Sequence, residues 1–139
     1  MSANIPDSTK TILVVDHETQ VRSMLKTYLL SEGFDVIEAE SCVKALAILE
    51  QNRHRAVDVL VTDIEMPHMD GITLIERCKQ HFPNLRVVVI STFPDKVLPA
   101  LGTKIDAYIP KPFAPKVLIN LITSFLQQSG NAGPVEPNS

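Results

Sequence analysis

Short apolar runs that alternate with helical patterns constrain the fold of this 139-residue chain more than any other feature. Two of the runs, Ile12–Val15 and Val87–Ile90, contain only aliphatic residues. An uninterrupted apolar run of this length is typical of a strand that is buried on both faces of a sheet. Strands are therefore predicted at Thr11–Asp16, Phe34–Ala39, Val57–Asp63, Arg86–Ser91 and Ala107–Ile109, with the second of them at the edge of the sheet.

Helical spacing follows the first two strands. The first helix presents one apolar stripe, and Gly33 is suited to end it as the residue just beyond the last turn. Ser41 is suited to cap the second helix, which extends to about Arg53. The stripe of the first helix consists of Val21, Met24, Leu25, Tyr28 and Leu29.

Three more helical patterns complete the alternation. Asp70 is suited to cap the third helix, and the last helix ends at about Gln128. The fourth is the least regular, because Pro94 suits its first turn whereas Pro99 would break its interior. Five strands alternating with five helices through short connections predict an α/β, doubly wound, flavodoxin-like parallel sheet with the strand order 2-1-3-4-5.

Composition limits the classes of function. The net charge of -3 and the lack of a Lys/Arg run argue against direct binding to nucleic acid. The apolar runs are too short to span a membrane. Cys42 and Cys78 each fall within a helical pattern, which favours buried thiols in a reducing cytoplasm. We divide the chain into a lead-in at 1–10, one domain at 11–128, and a disordered tail or linker start at 129–139.

Polar residues stand at the ends of four predicted strands. Asp16 ends the first strand, Asp63 the third and Ser91 the fourth, and Lys111 follows the fifth. The strand order places the switch point between strands one and three, where ligands of such sheets bind. Two carboxylates, a hydroxyl and an ammonium in one crevice suit a divalent cation and a phosphoryl group. Asp63 could then act as a nucleophile toward phosphorus.

Each of these residues also has a purely structural explanation. Asp16 could cap the helix that follows it, and Ser91 could do the same at its own strand end. Tyr108 could simply pack in its strand. Asp70 and Gly71 are assigned to structure, as cap and turn residues.

Four motifs, ILVVDHE, VTDIEMPHMDG, VVVIST and YIPKPF, occur in this order along the chain. With them the sequence resembles the receiver domain of bacterial two-component response regulators, over roughly Thr11 to Gln128. The resemblance implies that a histidine kinase or histidine phosphotransfer protein phosphorylates the chain in the cytoplasm, with Mg²⁺ or another divalent cation as cofactor. It implies a switch that assists its own phosphorylation and dephosphorylation, and not an enzyme of metabolism.

The resemblance also implies roles for individual residues. Asp63 would be the phosphoacceptor, and Lys111 would contact the phosphate through a loop with a cis Lys111–Pro112 bond. Asp16, Asp63 and the backbone carbonyl of Glu65 would bind the metal. Ser91 would be the switch hydroxyl and Tyr108 the switch aromatic residue.

Two departures from the family pattern bear on function. His17 stands where receivers usually carry a second acid that binds the metal, and imidazole suits Zn²⁺, Cu²⁺ or Ni²⁺ better than Mg²⁺. The segment from Ser91 to Lys111 is shorter than the family norm and contains Pro94 and Pro99, which puts the family's usual mode of partner binding and dimerisation in doubt. The alternative function is a phosphorylation-independent interaction module in which His17 impairs metal binding. The sequence does not identify the output. Hydrolase and flavin-enzyme functions are disfavoured, because the acid and the phosphate loop that they require are poorly matched.

Overall fold

One parallel sheet organises the part of the chain that the computed structural model describes, which is residues 9–51, 57–64, 71–92 and 104–127. Its five strands lie in the order β2-β1-β3-β4-β5, as predicted. Every neighbouring pair runs parallel. The strands are β1 (Thr11–Val15), β2 (Asp35–Ala39), β3 (Val59–Asp63), β4 (Arg86–Ser91) and β5 (Ala107–Pro110).

Four helices lie within the described residues. They are α1 (Thr19–Ser31), α2 (Cys42–Gln51), α3 (Gly71–His81) and α4 (Pro115–Gln127). These correspond to the first, second, third and fifth predicted helices. The fourth prediction falls on residues 93–103, which lie outside the described residues, as do the tail, most of the lead-in, Arg53 and the cap residue Asp70.

The sheet separates two apolar cores, because successive strand residues point to opposite faces. Leu13 and Val15 of β1 pack with α2 and α3. Ile12 and Val14 pack with α1 and α4. Cys42 and Cys78 are both buried thiols outside any disulfide, as predicted. Burial raises the pKa of the Cys78 thiol to about 12, and the nearby Cys42 adds to the effect.

Two predicted helix boundaries are confirmed. Gly33 follows α1 with a φ of 93°, a left-handed conformation that glycine adopts without a steric penalty. At α2, the backbone N–H of Lys44 donates a hydrogen bond to Ser41 Oγ over 3.1 Å. That is the bond expected of a helix-capping serine.

The apolar stripe predicted for α1 is broader than its buried face. Leu25 and Leu29 are buried, but Met24 and Tyr28 expose 37% and 47% of their surface. Residues 25 and 29 are one turn apart and face the sheet directly, whereas 24 and 28 lie on the flank of the helix.

None of the described helices has the length and apolar character needed to cross a membrane.

Candidate functional site

Asp63, Asp16 and Lys111 meet at the carboxyl edge of the sheet. Lys111 Nζ donates a hydrogen bond to Asp63 Oδ2 over 2.8 Å and lies 3.8 Å from Asp16 Oδ2. Both carboxylates are 1% exposed. Two buried carboxylates therefore share one ammonium, and this trio is called the acidic pocket below.

Strand register brings these residues together. Val15 pairs with Thr62, so Asp16 and Asp63 each follow a paired residue on neighbouring strands. The Lys111 backbone N–H donates to the Ser91 carbonyl over 3.0 Å, which ties the loop after β5 to the end of β4. All three pocket residues continue the strand positions that face α1 and α4. The predicted convergence of strand ends is confirmed for these charged residues.

The two carboxylate oxygens of Asp16 have different surroundings. Its Oδ1 accepts a hydrogen bond from the Glu18 backbone N–H over 2.8 Å at the start of α1. Its Oδ2 is buried and has no hydrogen-bond partner among the described residues. Burial raises the pKa of Asp16; the Glu18 N–H opposes this rise, while the charge of Asp63 adds to it. One oxygen of Asp16 therefore caps the backbone at the start of α1, and the other is available to bind a further group.

Lys111 responds to the same charges in the opposite direction. Burial alone would lower the pKa of its ammonium. The hydrogen bond and charge of Asp63, together with the charges of Asp16 and Glu18, outweigh burial and raise that pKa. Lys111 therefore stays a cation at neutral pH.

His17 stands at the mouth of the acidic pocket. Its Nδ1 lies 3.9 Å from Asp16 Oδ1, and its side chain is 43% exposed. One potential ligand atom each from Asp16, His17 and Asp63 lie within 4.8 Å of one another. Together with the unpartnered Oδ2 of Asp16, this donor set fits a divalent cation.

The two predicted switch residues lie on the other face of the sheet from the pocket residues. Ser91 is 1% exposed and continues the positions of Val87 and Val89, which face α2 and α3. Tyr108 pairs with Val89 in register and packs against the same core. Ser91 and Tyr108 are thus diagonal neighbours on one face, beside the pocket.

Comparison with known proteins agrees with this geometry. The profile of the family described as "Response regulator receiver domain" matches residues 12–123. The chain belongs to the receiver family. A chemotaxis protein CheY homolog of Campylobacter jejuni is 34% identical over 130 residues, which are 90% of this chain and 98% of that protein.

Solved receiver structures share the fold. A receiver domain from Clostridium thermocellum superposes with a TM-score of 0.78 at 26% identity, covering 85% of this chain and 94% of its own. TrrA from Thermotoga maritima, solved in complex with Mg²⁺-BeF, has a TM-score of 0.76 at 25% identity, with coverage of 84% and 98%. This receiver therefore has structural relatives that include one solved with a metal.

Sequence reasoning missed two residues that shape the receiver's pocket. Arg22 donates from its guanidinium to the Asp16 carbonyl over 2.6 Å and pairs with Glu38 at 3.4 Å, which holds the loop after β1. Gly71 was assigned to a turn but lies in α3, and its role is spatial. A Cβ there would lie 2.8 Å from the Asp63 carbonyl oxygen and 2.9 Å from Ile64 Cα. No sequence pattern marks either contact, since each depends on how a helix packs against the end of the strand before it.

An open groove adjoins the pocket of this receiver. Val21 and Met24 of α1 form one side, and Pro112 and Phe113 after β5 form the other. Lys111 and Glu18 also line it, so an apolar surface leads directly to the lysine of the acidic pocket. The partly exposed Met24 thus belongs to a surface that the sequence did not reveal. The predicted ligand Glu65 lies outside the described residues.

Proposed function

We propose that this receiver accepts a phosphoryl group on Asp63 from a histidine kinase or a histidine phosphotransfer protein. The observation that carries the proposal is the hydrogen bond of 2.8 Å from Lys111 to Asp63, beside the unpartnered Oδ2 of Asp16. Such a site holds a nucleophile, a fixed cation and an open position for a second cation. Family membership supports the same assignment.

In the proposed reaction, a carboxylate oxygen of Asp63 attacks the phosphorus of a phosphohistidine. A P–O bond forms, the P–N bond breaks, and its electron pair stays on the departing imidazole of the donor. Lys111 balances charge on the phosphoryl oxygens. A divalent cation, Mg²⁺ or another, would be held by Asp16, Asp63 and the Glu65 carbonyl, with His17 close by, and would supply further positive charge.

The proposed switch follows from the added negative charge. Ser91 is the buried hydroxyl at the end of the neighbouring strand. It would move from its own face of the sheet toward Asp63 and donate a hydrogen bond to the phosphoryl group. Tyr108, its neighbour on the same face, would repack with it. Partner binding would change in response, and the donor protein would use the apolar groove beside Lys111 to reach Asp63.

The chain would act as a switch and not as a metabolic enzyme. Two buried cysteines that form no disulfide suit a reducing compartment, so we propose that the chain acts in the cytoplasm.

Labelling with a small phosphodonor tests this function. The protein is incubated with acetyl phosphate and either Mg²⁺ or Mn²⁺, and intact mass spectrometry counts the phosphoryl groups added. We expect one group on the wild type, removable by hydroxylamine as an acyl phosphate should be, and none on Asp63→Asn. Labelling that persists in Asp63→Asn would contradict the assignment of the acceptor.

The second candidate is a receiver-fold interaction module that works without phosphorylation. The observation that favours it is His17, an exposed imidazole where the family usually has a metal-binding acid. It predicts no labelling of Asp63 with any divalent ion, and the same labelling experiment therefore distinguishes the two functions.

A further inference from the structure

We propose that His17 binds the metal directly, and that the acidic pocket therefore prefers a borderline transition ion such as Co²⁺, Ni²⁺ or Zn²⁺ to Mg²⁺. The inference rests on the proposed function for its biological meaning, since the bound ion would license phosphorylation. Binding of the ion itself requires no phosphorylation.

The geometry is the first support. Ligand atoms of Asp16, His17 and Asp63 already lie within 4.8 Å of one another. Atoms bound to one ion at about 2.1 Å lie about 3 Å apart when adjacent, so the three have to close by about 1–2 Å. The His17 side chain is 43% exposed and has room to turn inward, while the two carboxylates can stay in place.

The buried carboxylate is the second support. Asp16 is 1% exposed, and its Oδ2 has no hydrogen-bond partner among the described residues. Lys111 lies 3.8 Å away and donates its short hydrogen bond to Asp63 instead. A buried carboxylate oxygen without a hydrogen bond is costly, and a bound cation would reduce that cost.

The donor set decides which cation is preferred. Asp16 and Asp63 carry two negative charges, and Lys111 already neutralises one of them. Mg²⁺ relies on charged oxygen ligands and gains little from an imidazole. Co²⁺, Ni²⁺ and Zn²⁺ bind imidazole well and need fewer charges in the site. Compared with the acid that receivers usually carry at this position, His17 offers a borderline ligand in place of a hard one. It also makes the pocket less negative.

Direct titration of the full chain tests the proposal. Co²⁺ is the probe, because its visible absorption reports its ligands and would show a charge-transfer band if a cysteine thiolate bound instead. Affinities for Co²⁺ and Mg²⁺ are measured by absorption and calorimetry. The variants are His17→Asp, Asp63→Asn and, as a matched control, His81→Gln. His81 is an exposed histidine at the end of α3, away from the pocket.

We expect one Co²⁺ per chain, bound at least about tenfold more tightly than Mg²⁺. His17→Asp should weaken Co²⁺ and strengthen Mg²⁺, each by about tenfold, and His81→Gln should change neither. Equal affinities in the wild type, or affinities that His17→Asp leaves unchanged, would overturn the proposal. If Asp63 cannot be labelled with any ion while Co²⁺ binding still depends on His17, the phosphoacceptor function fails and the metal proposal stands.

Discussion

Two charged clusters at opposite edges of the sheet use the same kinds of residue in opposite proportions. At the carboxyl edge, the acidic pocket has two carboxylates and one lysine. At the amino edge, Asp106 is one carboxylate with two cations: Arg86 Nη1 lies 3.1 Å from its Oδ1, and Lys79 Nζ lies 4.0 Å from its Oδ2. The Val87 backbone N–H also donates to Asp106 Oδ2 over 2.8 Å.

The difference separates a structural cluster from a functional one. Both oxygens of Asp106 have partners, so the cluster joins the starts of β4 and β5 to the end of α3. In the pocket, Asp16 Oδ2 lacks a hydrogen-bond partner among the described residues. The pocket therefore has an oxygen that the proposed cation would bind, whereas both oxygens of Asp106 in the amino-edge cluster already have partners.

The largest expected effect comes from removing the lysine of the pocket. Lys111→Ala should slow the labelling of Asp63 by acetyl phosphate about 10²-fold, because it deletes the fixed charge that faces the phosphoryl group. Lys79→Ala is the matched control, a lysine beside a carboxylate at the other edge, and it should leave labelling unchanged. Equal loss in both variants would show that the two edges do not differ in this way.

Removing the carboxylate of the amino-edge cluster should destabilise the fold. Asp106→Asn loses the charge that Arg86 faces and weakens the bond from the Val87 N–H. The free energy of unfolding, measured in urea, should fall by about 2–3 kcal/mol. Labelling of the folded variant should match the wild type, and a large labelling defect would count against a purely structural role.

Gly71 links α3 to the pocket, and a side chain there should disturb both. Gly71→Ala puts its Cβ 2.8 Å from the Asp63 carbonyl oxygen, so the backbone has to move. Overpacking of this kind costs about 1–3 kcal/mol, against a smaller gain in helix propensity. The free energy of unfolding, measured in urea, and the rate of labelling of Asp63 should both decrease. A variant as stable as the wild type would show that the contact is easily relieved.

The buried thiol of Cys78, which is neutral at pH 7, tests the cost of forming a charge inside the core. Cys78 has a pKa of about 12 in the fold, against 9.0 for an unperturbed thiol. The unfolded chain loses this proton first, so the contribution to stability is constant below pH 9 and decreases above it. At pH 10 the loss should be about 1.4 kcal/mol. Measuring the free energy of unfolding of the wild type and of Cys78→Ala from pH 8 to 10 isolates the contribution of this thiol. If the two free energies changed with pH in parallel, the raised pKa of Cys78 would be contradicted.

The smallest effect should have the opposite sign from that of Asp106. Asp16→Asn removes one of two like charges from the pocket, and its free energy of unfolding should rise by about 1 kcal/mol. Co²⁺ binding and labelling of Asp63 should be lost in the same variant. Destabilisation comparable to that of Asp106→Asn would show that Asp16 is held as tightly as the structural carboxylate.

Most of the fold and the charged part of the site were predictable from the sequence. The strand order, the buried thiols, Gly33 and Ser41 were inferred from local patterns, and all are confirmed. The helix predicted around Pro94 lies outside the described residues. The exposure of Tyr28 was not predictable, because the stripe does not show how much of it the sheet covers.

The sequence by itself determined that Asp16, Asp63 and Lys111 would meet, because the carboxyl ends of parallel strands share one edge. Only the tertiary structure decided how they are paired. Lys111 forms its hydrogen bond with Asp63, and one oxygen of Asp16 has no hydrogen-bond partner within the described part of the chain. His17 lies at the mouth of the pocket. These distances depend on how loops from separate strands approach one another, and no stretch of sequence encodes that approach alone.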